Sequence, residues 1–497
     1  MEFKQVKAAF GDISNWKWFV LLSILIRGAM WLYLGYLVNL NLPGSEKLYS
    51  YFIKDDYAYF FDPVDNFLKT GTFSYFNNIP FTGRMPGYSI VYLLFRFIFS
   101  KQIAAYCVVG TQFLLSSVSV YILALTSYKI FNSKRVFYVT FCLYILAVFP
   151  GFFDLIIVPE SFSVSSLIFT FYFLVCYLKE GYKTKYLILS GAFLTWTIFL
   201  REYTGLLIII FPIVLCINEY FILKRGTLKA IKVVFLFCLP FIAADSLWVT
   251  RNYIDTGKFI PLESATDQVY GKLYSPSWSA IDNLVYTWGE NGSPFNLSGI
   301  AYYFRVPSAK NTFKFPQHLF NNVSTYNVDS LIHLRQLYGT FYYTKDTVLE
   351  KATQNRILFL TNLYKHDYIS HNYLSYILVK PIKGHKYFLL FSGTGYLPMP
   401  PFSKCNSFEK AIKILFSILY FVVLICANAG ILKFILKERS RNNMILLLML
   451  MSILMITGVI IFYSSAPEPR YSVHIFMICV IFASSFIGYL LPQKIDD

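Results

Sequence analysis

Residues 443–463 read NMILLLMLMSILMITGVIIFY, a run with no charged residue. A helix needs about 20 mostly apolar residues to cross a bilayer, so this stretch reads as a membrane span. Working outward, comparable stretches lie at 18–40, 102–126, 136–153, 161–178, 187–200, 204–222, 231–250, 411–432 and 475–491. That makes about ten, two of them short. The composition agrees: of 497 residues, 56% are hydrophobic and 14% charged, with mean hydropathy +0.51. A soluble domain is about 25% charged. One water-soluble core, a disordered chain and a disulfide miniprotein are all excluded. The expected fold is an all-α polytopic membrane protein of about ten transmembrane helices, with a small α or α/β region in its largest loop.

The net charge of +17 would suggest nucleic acid on a soluble chain. Here the basic residues fall into alternate loops. Lys4, Lys7 and Lys17 precede the first span. Lys129, Lys134 and Arg135, then Lys179, Lys183 and Lys185, then Lys224, Arg225 and Lys229, and finally Lys433, Lys437, Arg439 and Arg441 fill later loops of the same side. The other short loops carry Arg201 and Arg470 alone. Cytoplasmic loops are the Lys/Arg-rich ones, so both termini are expected in the cytoplasm of a bacterial inner membrane. The first span then reads as an uncleaved anchor. Two long loops, about 41–101 and 251–410, face outward. The segment YSIVYLLFRFIF at 88–99 is too short to cross and reads as an interfacial helix. The expected divisions are an N-terminal transmembrane module (1–262, with the first outer loop 41–101), an outer region (263–410) and C-terminal helices (411–497).

Of eight cysteines only Cys405 lies outside the apolar stretches, and the six histidines are scattered. Neither a disulfide framework nor a zinc site is expected. Ionisable residues concentrate instead at the outer ends of spans. The first outer loop holds Asp55, Asp56, Asp62 and Asp65, then Arg84 before Pro86-Gly87-Tyr88. The next outer turns hold Asp154 and Glu160, then Arg201 and Glu202. Arg251 and Lys258 follow the seventh span, and Glu468, Arg470 and Tyr471 precede the last. An ordinary solvated turn or a helix-capping acid explains any one of these. Five turns placing carboxylates and arginines on one face suit a lipid phosphate-linked sugar. Arginine pairs with phosphate through charge-assisted bonds and stabilises it as it departs. A carboxylate takes the proton of an incoming hydroxyl.

The segments DDYAYFFDPVDNFLKTGTFSY (55–75), RMPGYSIVYLLFRFIFS (84–100), PESFSVSSLIF (159–169), FLREYTG (199–205), WVTRNYIDTGKFIPL (248–262) and EPRYSVHIF (468–476) resemble the GT-C-type glycosyltransferases. Within them the chain is similar to the bacterial relatives of protein O-mannosyltransferases and lipid A aminoarabinose transferases (glycosyltransferase family 39-like). The resemblance covers about 1–262 and 408–497. It implies inverting transfer of a sugar from a polyprenyl-phosphate donor to a hydroxyl on an acceptor glycan, lipid or protein, with no nucleic acid involved. It assigns the catalytic base to the first outer loop, at Asp55 or Asp56, with Asp56 favoured, and a further site acid to Glu160, with Asp154 second. Arg84 then meets the donor phosphate, with Arg251, Arg470, Arg201 and Tyr88 as further contacts. No cofactor is expected, although Asp55-Asp56 could hold a divalent ion, as in some members of that superfamily. A transporter or flippase of lipid-linked glycans and a diphosphate-linked oligosaccharide polymerase or ligase are the competing readings. A transporter predicts ionisable groups near the bilayer midplane, and of the ionisable residues inside spans only Arg27 and Asp245 lie more than a few residues from a span end.

Overall fold

The computed structural model describes residues 12–41, 57–75, 79–263, 275–290, 299–306, 313–437, 443–463 and 467–491. Among these the regular structure is helical, with one isolated β-bridge, Ser74 to Pro80. Eight helical segments are long and apolar enough to cross a membrane, and a ninth apolar helix, Thr184–Leu200, is shorter. This is an all-helical polytopic membrane protein.

The helices of the apolar array are α1 (Trp16–Asn41), α4 (Lys101–Phe131), α5 (Lys134–Ile145), α7 (Glu160–Lys179), α8 (Thr184–Leu200), α9 (Leu207–Ile217), α10 (Thr227–Thr256), α16 (Ser407–Lys437), α17 (Asn443–Gly458) and α18 (Val473–Leu490). Between α1 and α4 lie α2 (Tyr57–Thr70) and α3 (Gly87–Arg96). The latter is a helix over most of the stretch read as interfacial. The span expected over 136–153 is broken. Helix α5 ends at Ile145, Ala147 is extended, and a short α6 (Val148–Phe152) follows. Pro150 explains the break, because a proline ring clashes with the carbonyl four residues earlier, here that of Leu146.

One continuous apolar cluster joins these helices. A second, separate cluster lies in the outer region. It is built by α11 (Pro276–Thr287), α12 (Ile300–Arg305), α13 (Val328–Tyr343) and α14 (Thr347–His371), around Trp278, Trp288, Tyr338 and Tyr364. Tyr303 belongs to this core, while Tyr342 and Tyr343 are exposed. Helix α15 (Lys380–Leu389) then leads back to the array.

The two ends of the array differ in charge. At one end Lys129 pairs with Glu180, Lys179 donates to Ile130 O (3.1 Å) and Arg135 to Leu491 O (2.9 Å). Lys433 lies 3.8 Å from the Tyr489 ring. These are the lysine-rich loops of the sequence. The opposite end holds the acids and arginines of the outer turns.

Candidate functional site

Helix α3 fixes the entrance to the site. Gly87 lies directly on the end of α8, so close that a Cβ there would stand 2.5 Å from the Phe199 carbonyl oxygen. No residue but glycine fits that approach. Trp196 at the end of α8 donates its ring N–H to Gly87 O (3.3 Å). This seating brings Arg84, three residues earlier, against the Arg201-Glu202 turn that follows α8.

Two linked ionic groups result. In the first, Arg201 pairs with Glu160 at the start of α7, both side chains being buried. Arg470 Nε lies 3.7 Å from Glu160 Oε1 and 2.6 Å from Glu468 Oε2. The Tyr471 ring lies between the two arginines, 5.8 Å from the Arg201 guanidinium and 5.2 Å from that of Arg470. Both are cation–π distances. In the second group, Arg84 Nη1 lies 3.0 Å from Glu263 Oε1 and 3.8 Å from Glu202 Oε1. Burial, reinforced by Glu202 and opposed by Arg84 and Arg201, pushes the Glu263 carboxyl up to about 8.

Glu263 is held in place by the end of α10. The chain turns back at Gly257, which is left-handed (φ 69°). Asn252 donates to Ile260 O (3.0 Å), Trp248 donates its ring N–H to Leu262 O, and Asp245 accepts the Leu262 N–H (3.1 Å). Leu262 has a φ of 56°, unusual for a residue with a branched side chain. Two side chains of one helix thus pin a strained residue directly before the buried acid, and a third holds Ile260.

Arg251 does a different job. It donates to Phe81 O (2.7 Å) and Phe73 O (2.9 Å) and pairs with Asp255 (2.9 Å). It therefore brackets the first outer loop onto α10, with its donors committed to backbone and a neighbouring acid. Tyr88 is fully buried among Phe60, Phe61 and Phe162, and its hydroxyl donates to Gln112. Asp154 pairs with Arg27 (2.5 Å) and accepts from Ser161 (2.6 Å), with Ser116 also on Arg27. Arg27 is therefore paired within the protein and does not snorkel. Asp62 and Asp65 take Lys101 and Arg96 as partners.

The sequence-derived residues Glu160, Arg201, Arg470 and Arg84 thus come together. Asp154, Arg251 and Tyr88 make the contacts above outside these two ionic groups. Asp55 and Asp56 lie outside the described residues. Among the described residues, no group of three or more metal-ligating side chains comes together. Three further participants carried no readable motif. Glu263 is one. His474 is another: both ring nitrogens are engaged, with Tyr203 OH and Ser163 Oγ, each at 2.8 Å. Tyr396 is the third. It packs on Phe152 (5.4 Å between centroids) and feels the charges of Arg470, Glu468 and Glu160.

No family model and no curated protein matches the sequence. Among solved structures, the chain is similar to the crystal structure of ArnT from Cupriavidus metallidurans in the apo state. Identity is 11%, over 94% of this chain and 77% of that chain, with a TM-score of 0.34. It is also similar to the same protein bound to undecaprenyl phosphate, with 11% identity over 95% and 78% and a TM-score of 0.35.

Proposed function

We propose that this chain is an integral-membrane glycosyltransferase of the GT-C type. It would move a sugar from a polyprenyl-phosphate donor to an acceptor hydroxyl at the outer face of the membrane, with inversion. The observation that supports this most is the convergence of Arg84, Arg201 and Arg470 from three sequence-distant turns onto one end of the helix array, among Glu160, Glu202, Glu263 and Glu468. A lipid-anchored phosphate sits at this depth, and guanidinium groups are its usual partners.

Within that reading the arginines divide by access. The side chains of Arg84 and Arg470 keep 14% and 16% of their surface exposed, against 2% for Arg201. Arg84 and Arg470 meet the phosphate. Arg201 and Glu160 form the buried floor that orients Arg470. In the transfer, the bond from the anomeric carbon to the phosphate oxygen breaks as one to the acceptor oxygen forms. The acceptor proton passes to a first-loop carboxylate, Asp56 or Asp55. The phosphate leaves as an anion facing the arginines, which lowers the barrier by stabilising developing charge.

The deciding experiment is lipid and glycan profiling of a strain lacking the gene, complemented by wild type or by Arg84→Ala. A polyprenyl-phosphate sugar should accumulate and one surface glycan should disappear. Wild type should reverse both and Arg84→Ala neither. Unchanged pools of both lipid and glycan in the deletion strain would remove the transferase reading.

A further inference from the structure

The guanidinium assigned to the donor phosphate is already engaged by the protein's own acids. Glu263 lies 3.0 Å from Arg84 and Glu202 lies 3.8 Å away. An ionised carboxylate and a phosphate compete for the same donors, so an ionised Glu263 obstructs the seat. It is also held there. Leu262, immediately before it, is fixed through its N–H by Asp245 and through its carbonyl by Trp248.

Charge balance points to how the obstruction is relieved. Among the described residues, the linked groups contain three arginines (Arg84, Arg201, Arg470) and four carboxylates (Glu160, Glu202, Glu263, Glu468). With every group ionised, the cluster has one negative charge in excess before any phosphate arrives. Among the described residues, the charged groups acting on Glu263 are Arg84 ahead of α3 and Arg201 and Glu202 from the turn after α8, while Asp245 of α10 accepts from the adjacent Leu262 N–H. Its side chain is only 9% exposed, so a charge on Glu263 itself is poorly hydrated. A carboxyl so placed holds its proton far above the ordinary range.

We propose that seating a phosphate at Arg84 is coupled to uptake of one proton by Glu263, which changes from a competing anion into a hydrogen-bond donor toward the phosphate. This rests on the reading of Arg84 as the phosphate seat. In its protonated form Glu263 leaves the guanidinium to the ligand and offers an O–H to a phosphate oxygen. It thereby serves as a further donor-binding residue.

The test is calorimetric titration of the purified full-length chain in lipid nanodiscs with a short isoprenyl phosphate. Two buffers of different ionisation enthalpy would be used, at about pH 7 and about pH 9, where the free phosphate stays largely dianionic. Proton uptake should be small at the lower pH and approach one per ligand at the higher. Affinity should fall roughly tenfold between about pH 7 and pH 9. Glu263→Gln should abolish both effects, while Arg84→Ala should lose binding at both pH values. Unimpaired binding by Arg84→Ala, or no binding by wild type, would overturn the phosphate seat itself. Loss of binding in Arg84→Ala with no proton uptake by wild type at the higher pH would overturn the role of Glu263 alone. That second comparison does not depend on the Gln variant folding.

Discussion

Glu160 and Arg201 are a buried ion pair at one end of the helix array, and such a pair is costly to break from one side. Removing one charge leaves the other without compensation in a low-dielectric site, at about 3–5 kcal/mol. Glu160→Gln should therefore lower thermal stability sharply. The double variant Glu160→Gln/Arg201→Met should recover most of it, since a neutral pair of similar volume can be nearly as stable. Activity should stay lost in both, because Arg470 loses its anchor on Glu160 in each. Recovered activity in the double variant would show that the pair acts only in folding. Which residues mattered here was partly legible in the sequence. Ionisable groups at span ends are conspicuous against an apolar background, and Glu160, Arg201 and Arg470 stood out for that reason. Their pairing was not legible. Glu202, next to Arg201 in sequence, faces Arg84 instead, while Arg201 reaches back 41 positions to Glu160. Glu263 was missed because its partner is 179 positions away and it closes an apolar FIPL run. The available signal was an acid held directly after Pro261-Leu262, below the last turn of a span.

At the scale of elements, hydrophobic runs located the helices well, because burial in lipid imposes a length and a composition at once. The runs did not show which helix ends meet. Proline 150 interrupts one apolar stretch that composition alone reads as a single span. The seating of α3 on α8 depends on one glycine, and that is a matter of backbone contact rather than hydropathy. Gly87→Ala should force the start of α3 away from Phe199 and carry Arg84 off the Arg201-Glu202 turn. The expected result is a loss of donor binding of at least tenfold with the chain still inserted in the membrane, read by donor titration and by membrane-fraction yield. Unchanged donor binding would mean that Arg84 is placed independently of α3. Arg251 gives a second check on how elements are joined. Arg251→Lys keeps the charge but cannot reach both Phe73 O and Phe81 O with a rigid fork. Limited proteolysis within 57–86 should accelerate, and a long-range charge role would predict no change.

For the whole molecule, the large positive charge reports orientation. The basic ends of α4, α5, α7 and α16 gather beside the end of α18 at one end of the array, where Lys129, Lys179, Arg135 and Lys433 have local partners. The opposite end carries arginines matched by carboxylates. Under the positive-inside rule the first surface is expected in the cytoplasm, against anionic lipid. The proposed chemistry requires this sidedness, since the site and the outer helical cluster of α11 to α14 must face the same compartment. Single-cysteine labelling decides it. Lys185→Cys lies in the exposed first turn of α8, and Lys345→Cys lies between α13 and α14. With a membrane-impermeant maleimide on intact spheroplasts and the parent chain as background, Lys345→Cys should label at once. Lys185→Cys should label only after permeabilisation. The reverse pattern would place Arg84, Arg470 and Glu263 in the cytoplasm, where a donor presented on the outer leaflet could not reach them. The site would then have to serve a cytoplasmic ligand.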